Sequence, residues 1–405
     1  MPRQNRPAFP LPVLVTDAAA LDALCTRLRA EPYVTIDTEF MRERTYYPEL
    51  CVVQLAGRDD VAVIDAQAPG MDLAPLGALL ADPAVLKVFH AARQDVEIFL
   101  QLFGAVPTPL FDTQVAAMVA GFGDQVGYDN LVSSLTGGHI DKAHRFSDWS
   151  ARPLSPAQLA YAAADVTHLR GVYEKLRARL ERDERLEWVA EEMAHLADPA
   201  TYRADPDTAW ERLRPRTANR RMLGLLRAAA AWREREAQRV NIPRQRLLKD
   251  ESLLELAASA PDTPEALSRI RGVTRGFAEN RGGAALLSAL AEARALPEAD
   301  LPEAPRLKDG PRASPALVSL LKVLLAAKGE EHHVAPKLLA STDELERLAA
   351  EDAPDLPALH GWRREVFGAD ALALKQGRIA LGVDGKRIKL LRAGAADKAP
   401  AEAAP

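Results

Sequence analysis

Three short β-branched runs, at residues 33–39, 50–56 and 61–65, follow one another with connections too short to hold a crossover helix. Runs joined this closely pair as neighbours of reversed direction, so this part of the chain is confined to an antiparallel meander. Further apolar runs lie before it at 12–15 and after it at 85–90, each set off by a helical pattern, which predicts parallel edges on the same sheet. Helical periodicity is read at 18–29, 73–81, 94–103, 113–120 and 156–181. The expected architecture is one mixed α/β sheet with helices packed on it, occupying residues 1–205.

Beyond residue 205 the strand signal vanishes, and 405 residues exceed what one domain usually holds. A helical domain is expected at 207–296 and a proline-punctuated linker at 297–314. A second helical domain is expected at 315–390 and a low-complexity disordered tail at 391–405. The two helical blocks read as weak repeats. Each opens with a Leu/Ala-periodic helix, continues through a loop with a proline (Pro243, Pro336), and then starts an acid-rich helix (Asp250, Asp343).

The chemistry of the chain is carried by acids. In residues 34–40 the alternation of a strand puts Asp37 and Glu39 on one face, away from Ile36, Thr38 and Phe40. Two carboxylates side by side on an otherwise apolar strand repel and resist desolvation, and a divalent cation between them removes both penalties. Asp95 follows the apolar run 85–89 at the start of a helix, where the helix dipole alone would also favour it. Tyr161 and Asp165 sit four apart on an alanine-lined helix opened by Ser155-Pro156, so both project from one face. Packed on the sheet, that face would bring a phenol and a carboxylate toward Asp37 and Glu39. Four carboxylates are the right donor type for Mg²⁺ or Mn²⁺ in a two-metal site; zinc would recruit His or Cys, and none is placed to help.

The ordered set of Asp37-Thr38-Glu39-Phe40, residues 90–99 around Asp95, and residues 161–166 resembles the three motifs of the DEDD exonucleases, with Tyr161 marking the DEDDy branch. Residues 44–48 before 50–55, residues 111–114, and Ser147-Asp148-Trp149 before Arg152-Pro153-Leu154 narrow the resemblance to the ribonuclease D family. The resemblance implies an RNase H-like domain that trims single-stranded 3′ ends in the 3′→5′ direction, releasing 5′-mononucleotides. It also implies catalytic roles for Asp37, Glu39, Asp95, Tyr161 and Asp165. Asp37 would bridge two metals, Glu39 and Asp165 would hold the water-activating one, Asp95 would support the second, and Tyr161 would orient water. Residues 223–272 resemble the HRDC module that accompanies this family, and 315–382 is a more divergent candidate for a second copy.

Charge is distributed unevenly. From Glu211 to Asp250 eleven Arg and one Lys face four acids, so 12 − 4 = +8, and the rest of a chain of net charge −5 must sum to −13. Such a cluster is expected to meet a polyanion. Arg216, Arg220, Arg227 and Arg244, with Phe40 and Gln54 near the acids, are the expected RNA contacts. The expected partner is RNA with a single-stranded 3′ end, tRNA precursors foremost, acted on by a monomer. Competing readings are the same chemistry on DNA, or an RNA-binding adaptor without catalysis, which would need a broken acid set. Two cysteines without a CxxC pair, no apolar run of membrane-spanning length and no secretory signal suggest a cytoplasmic protein. The glycine loop at 121–127 misses the dinucleotide-binding spacing and is read as a loop near the active site. Neighbouring His332 and His333 diverge and are read as loop residues.

Overall fold

The computed structural model describes residues 12–141, 143–215, 217–303 and 313–392. The chain begins β1 (Val13–Val15), α1 (Ala18–Leu28), β2 (Tyr33–Met41), β3 (Glu49–Ala56), β4 (Val61–Asp65), α2 (Ala74–Leu80), β5 (Leu86–Phe89) and α3 (Arg93–Phe103). It continues β6 (Leu110–Asp112), α4 (Thr113–Val119), α5 (Tyr128–Thr136), α6 (Pro156–Arg182) and α7 (Leu186–Ala197). The six strands form one sheet in the order β1-β4-β3-β2-β5-β6. β2, β3 and β4 are the expected antiparallel meander, while β1 on β4, β5 on β2 and β6 on β5 are parallel. β6, α5 and α7 were not foreseen; a three-residue strand is too short to show a period.

β2 is central because its residues from Tyr33 to Ile36 are apolar or uncharged and buried on both faces. Its register against β3 shifts between Glu39 and Phe40, a bulge that re-aims the end of the strand. α6 lies across β2, β3 and β4. A capping box (Ser155 and Gln158) and Pro156 in the first turn start it, and Ala162 and Ala163 let it approach the sheet closely. Arg152 fixes the segment leading into α6, donating to both carboxylate oxygens of Asp65 (2.7 and 2.6 Å) and to the Trp149 carbonyl. That anchor holds Trp149 beneath Tyr161, ring centroids 6.0 Å apart.

The next region holds α8 (Arg220–Val240), α9 (Arg244–Leu247), α10 (Asp250–Ser259), α11 (Pro264–Leu267), α12 (Arg275–Ala278) and α13 (Arg281–Ala295) around its own core. α14 (Pro315–Glu331), α15 (Pro336–Leu339), α16 (Thr342–Ala350), α17 (Gly361–Arg363), a π-helical stretch Arg364–Gly368 and α18 (Ala369–Lys375) then build a second core. The elements recur in the same order: a long helix, a short proline-associated one, then an acid-started one.

Two expectations are corrected. The second block is not all-α: it ends in an antiparallel hairpin, β7 (Ile379–Asp384) and β8 (Arg387–Arg392). The two-residue turn Gly385-Lys386, with Gly385 at φ +62°, is the primed-turn geometry that such hairpins need. The linker also starts in contact, because Leu301 is buried and lies where a side chain on Gly224 of α8 would sit. Residues 304–312 and 393–405, the rest of the linker and most of the expected tail, lie outside the described residues.

Both helical modules dock on the sheet domain. The loop after β2 holds the first: Tyr46 donates to Glu234, Gln238 donates to the Tyr46 hydroxyl (3.2 Å), and the Tyr47 amide donates to Asn241 (3.0 Å). The second sits on α7, where Trp188 and Trp362 stack 4.5 Å apart at 8° and Arg363 bonds Glu191 (2.6 Å) and Glu192.

Candidate active site

Asp37 and Glu39 leave β2 on the face that α6 covers, and Asp165 descends from α6 toward them. One carboxylate oxygen from each of the three lies within 4.8 Å of the other two. The spacing argument from sequence therefore holds for these three acids. Asp95, in the first turn of α3, is placed differently: it is buried beside the triad and accepts a hydrogen bond from Thr38, which projects from the other face of β2. It stands outside the three-oxygen group yet acts on it electrostatically.

Burial and mutual repulsion dominate the electrostatics. Burial pushes Asp37 up to about 7. Burial, then the charges of Asp37, Asp165 and Asp95, push Glu39 up to about 10. Burial and Asp37 push Asp165 up to about 8, opposed by a hydrogen bond from Tyr161. Asp95 is raised by burial and by Asp37. Four acids in so small a volume cannot all ionise unaided, and an all-oxygen donor set of this charge fits hard divalent cations. Burial, Asp165 and Glu39 also raise the Tyr161 hydroxyl far above its usual range, so it stays protonated at neutral pH.

A cavity of about 270 Å³ opens beside the acids, lined among others by Asp37, His90, Tyr128, Arg145, Tyr161 and Asp165. Tyr128 was missed from sequence. Its hydroxyl donates to the main-chain carbonyl of Asp165 and its ring lies 5.0 Å from that of His90. The available signal was its place just after the 121–127 glycine loop, which does reach the site: Gly127 lines the cavity. Asp112 was also missed as a positioning group. Its carboxylate accepts from the amides of Ala91 (3.0 Å), Ala92 (2.8 Å) and Gln114 (2.7 Å). It thereby fixes the turn before α3, where Ala91 takes φ +58°.

The expected RNA contacts fare differently. Phe40 is half-buried at the bulge. Gln54 is corrected: it pairs with Asp37 across the strands but is fully buried, with both amide atoms unpartnered, and has no surface to offer RNA. Arg216 lies outside the described residues. Arg220 and Arg227 donate to main-chain carbonyls of Leu301 (2.8 Å) and Asp300 (3.0 Å) and are only partly buried. Arg244 pairs with buried Glu234 (3.3 Å) and covers the Tyr46 ring. Arg221, Arg233, Arg235, Arg239 and Arg246 also bind partners within the protein. The basic cluster mostly ties the first module to itself, to the linker and to the sheet domain.

A family model described as a 3′-5′ exonuclease matches residues 12–181, and one described as an HRDC domain matches 222–290. The chain is 74% identical over 395 residues to ribonuclease D of Granulibacter bethesdensis, covering 97% of this chain and 100% of the relative. It is 50% identical to ribonuclease D of Nitrobacter hamburgensis over 375 residues, 93% of this chain and 98% of the relative. The chain belongs to the ribonuclease D family. It is a 3′→5′ exoribonuclease, with an RNase H-like sheet domain followed by an HRDC domain. Its structure resembles the crystal structure of Escherichia coli RNase D, "an exoribonuclease involved in structured RNA processing", with a TM-score of 0.78 and 32% identity. That likeness covers 90% of this chain and 99% of the other. The DEDD-type ribonuclease fold implies divalent metal, and the acidic triad is where this chain offers to hold it. Among the described residues no helix is long and apolar enough to cross a membrane.

Proposed function

We propose that this ribonuclease D uses Mg²⁺ or Mn²⁺ held by Asp37, Glu39 and Asp165, with Asp95 supporting the set, to trim the 3′ ends of structured RNAs such as tRNA precursors. The observation that carries the metal assignment is the convergence of three acids from two distant segments into one 4.8 Å group. When bound, divalent cations supply a nucleophilic water and stabilise the leaving oxygen.

The protein's own groups do the rest. Tyr161, hydrogen-bonded to Asp165, keeps its proton and holds the attacking water by its hydroxyl rather than acting as a base. Tyr128 fixes the α6 backbone at Asp165. Water oxygen bonds to phosphorus as the bond to the preceding nucleotide's 3′-oxygen breaks. A nucleoside 5′-monophosphate leaves, together with an RNA one residue shorter bearing a 3′-hydroxyl. The small cavity beside the acids favours one terminal nucleotide at a time. The second helical module is read as a diverged HRDC-like copy from its element order, and the protein as a monomer.

The test is digestion of 5′-end-labelled and 3′-end-labelled RNA, with and without EDTA. The expected result is a one-nucleotide ladder from the 5′ label, immediate mononucleotide from the 3′ label, and neither in EDTA. Undiminished cutting in EDTA would remove the metal assignment.

A further inference from the structure

Cations can grip a polyanion only where the protein has not already engaged them. In the arginine-rich stretch most of the described arginines already have partners within the protein, although Arg212 and Arg214 are exposed. The C-terminal hairpin is the opposite case. Residues 378–392 hold five cations and one acid, so 5 − 1 = +4 in a chain of net charge −5. The hairpin's one ion pair among the described residues, Lys389 to Asp384, is 3.9 Å long between side chains 61% and 74% exposed. Among the described residues Lys386, Arg387 and Arg392 show no acidic partner.

Strand register sorts these residues into two faces. Ile379, Leu381 and Leu390 share the face whose base packs on α14 and α18. The other face carries Arg387 and Lys389, paired across the ribbon with Asp384 and Gly382. On this face the exposed side chain of Leu391 folds over Gly382, and the two cations stand beside it. The module beneath is locked to the catalytic domain by the Trp188–Trp362 stack and Arg363. The groove under the hairpin is lined by His333, whose carbonyl abuts Gly121 and accepts from Arg185 (3.0 Å). Gly121 begins the loop that ends at the catalytic cavity.

We propose that the Arg387–Lys389 face of this hairpin binds the phosphate backbone of the RNA body upstream of the end being trimmed. A nucleic acid is favoured over a lipid surface because the chain is an exoribonuclease; Val383 and Ile388 at the hairpin tip are exposed, so the vesicle arm of the test decides the alternative. That the polyanion is RNA rests on the exoribonuclease assignment.

The test uses the full-length protein in EDTA, binding a stem-loop RNA with a single-stranded 3′ tail across a salt series. Arg387→Gln with Lys389→Gln is expected to weaken binding about tenfold and to reduce the log–log salt slope by about 2. The paired variant Arg387→Lys with Lys389→Arg should restore both. Cleavage of a trinucleotide in Mg²⁺, too short to reach the hairpin, should keep its kcat and KM. An unchanged salt slope overturns the proposal, as does loss of binding to phosphatidylglycerol vesicles with RNA binding intact. Hydrolysis during the EDTA assay would instead count against the metal assignment alone.

Discussion

Asp37 shows how a single residue can be legible in sequence while its behaviour is not. Strand alternation placed it beside Glu39, but the crowding that raises its pKa comes from the burial α6 imposes. The linkage has a definite sign. An acid raised to about 7 stabilises the fold below its unfolded value near 4 and costs stability as pH rises through 7. Without cations, Asp37→Asn should therefore raise stability at pH 8 by about 2 kcal/mol and change it far less near pH 5, measured by urea unfolding in EDTA. Tyr161→Phe removes the hydroxyl that orients water. It should slow single-turnover hydrolysis about 10- to 100-fold with Mn²⁺ affinity unchanged, and an unaltered rate would remove its role. Gln54 misled because a polar side chain beside an acid looks like a ligand contact; only the packing of α6 shows it sealed in.

At the scale of elements, the meander and its parallel edges were readable because β-branched runs and connection lengths leave few topologies. What stayed hidden was short or mixed: β6 spans three residues, and the closing hairpin follows a helical block whose leucines blur its alternation. The β6–α4 junction shows how local geometry serves the site. Asp112 caps α4 and ties down the left-handed Ala91 turn that leads Asp95 into place. Asp112→Ala strips several buried amides of their acceptor and should cost about 2–4 kcal/mol by chemical denaturation. A loss below about 0.5 kcal/mol would show that the turn holds itself. Residues 44–48 read from sequence as a family signature; their physical task is to dock α8 through Tyr46 and Tyr47.

Over the whole molecule, charge counting found the basic segment but not its use, since a sequence cannot show which arginines fold back on carbonyls. The domain contacts it could not show are specific: the stacked tryptophans join α7 to the second helical core. Trp362→Ala removes that stack and should uncouple the module, adding a separate lower-temperature transition in calorimetry; a single unshifted transition would deny the joint. All of this geometry matters for catalysis only if the clustered acids bind cations together. Titration of Mn²⁺ into the wild-type protein and the Asp165→Asn variant, at pH 6.5 and pH 8, examines that most directly. Binding should release protons, tighten at the higher pH, and largely disappear in the variant. Equal, pH-independent binding by both proteins would contradict it.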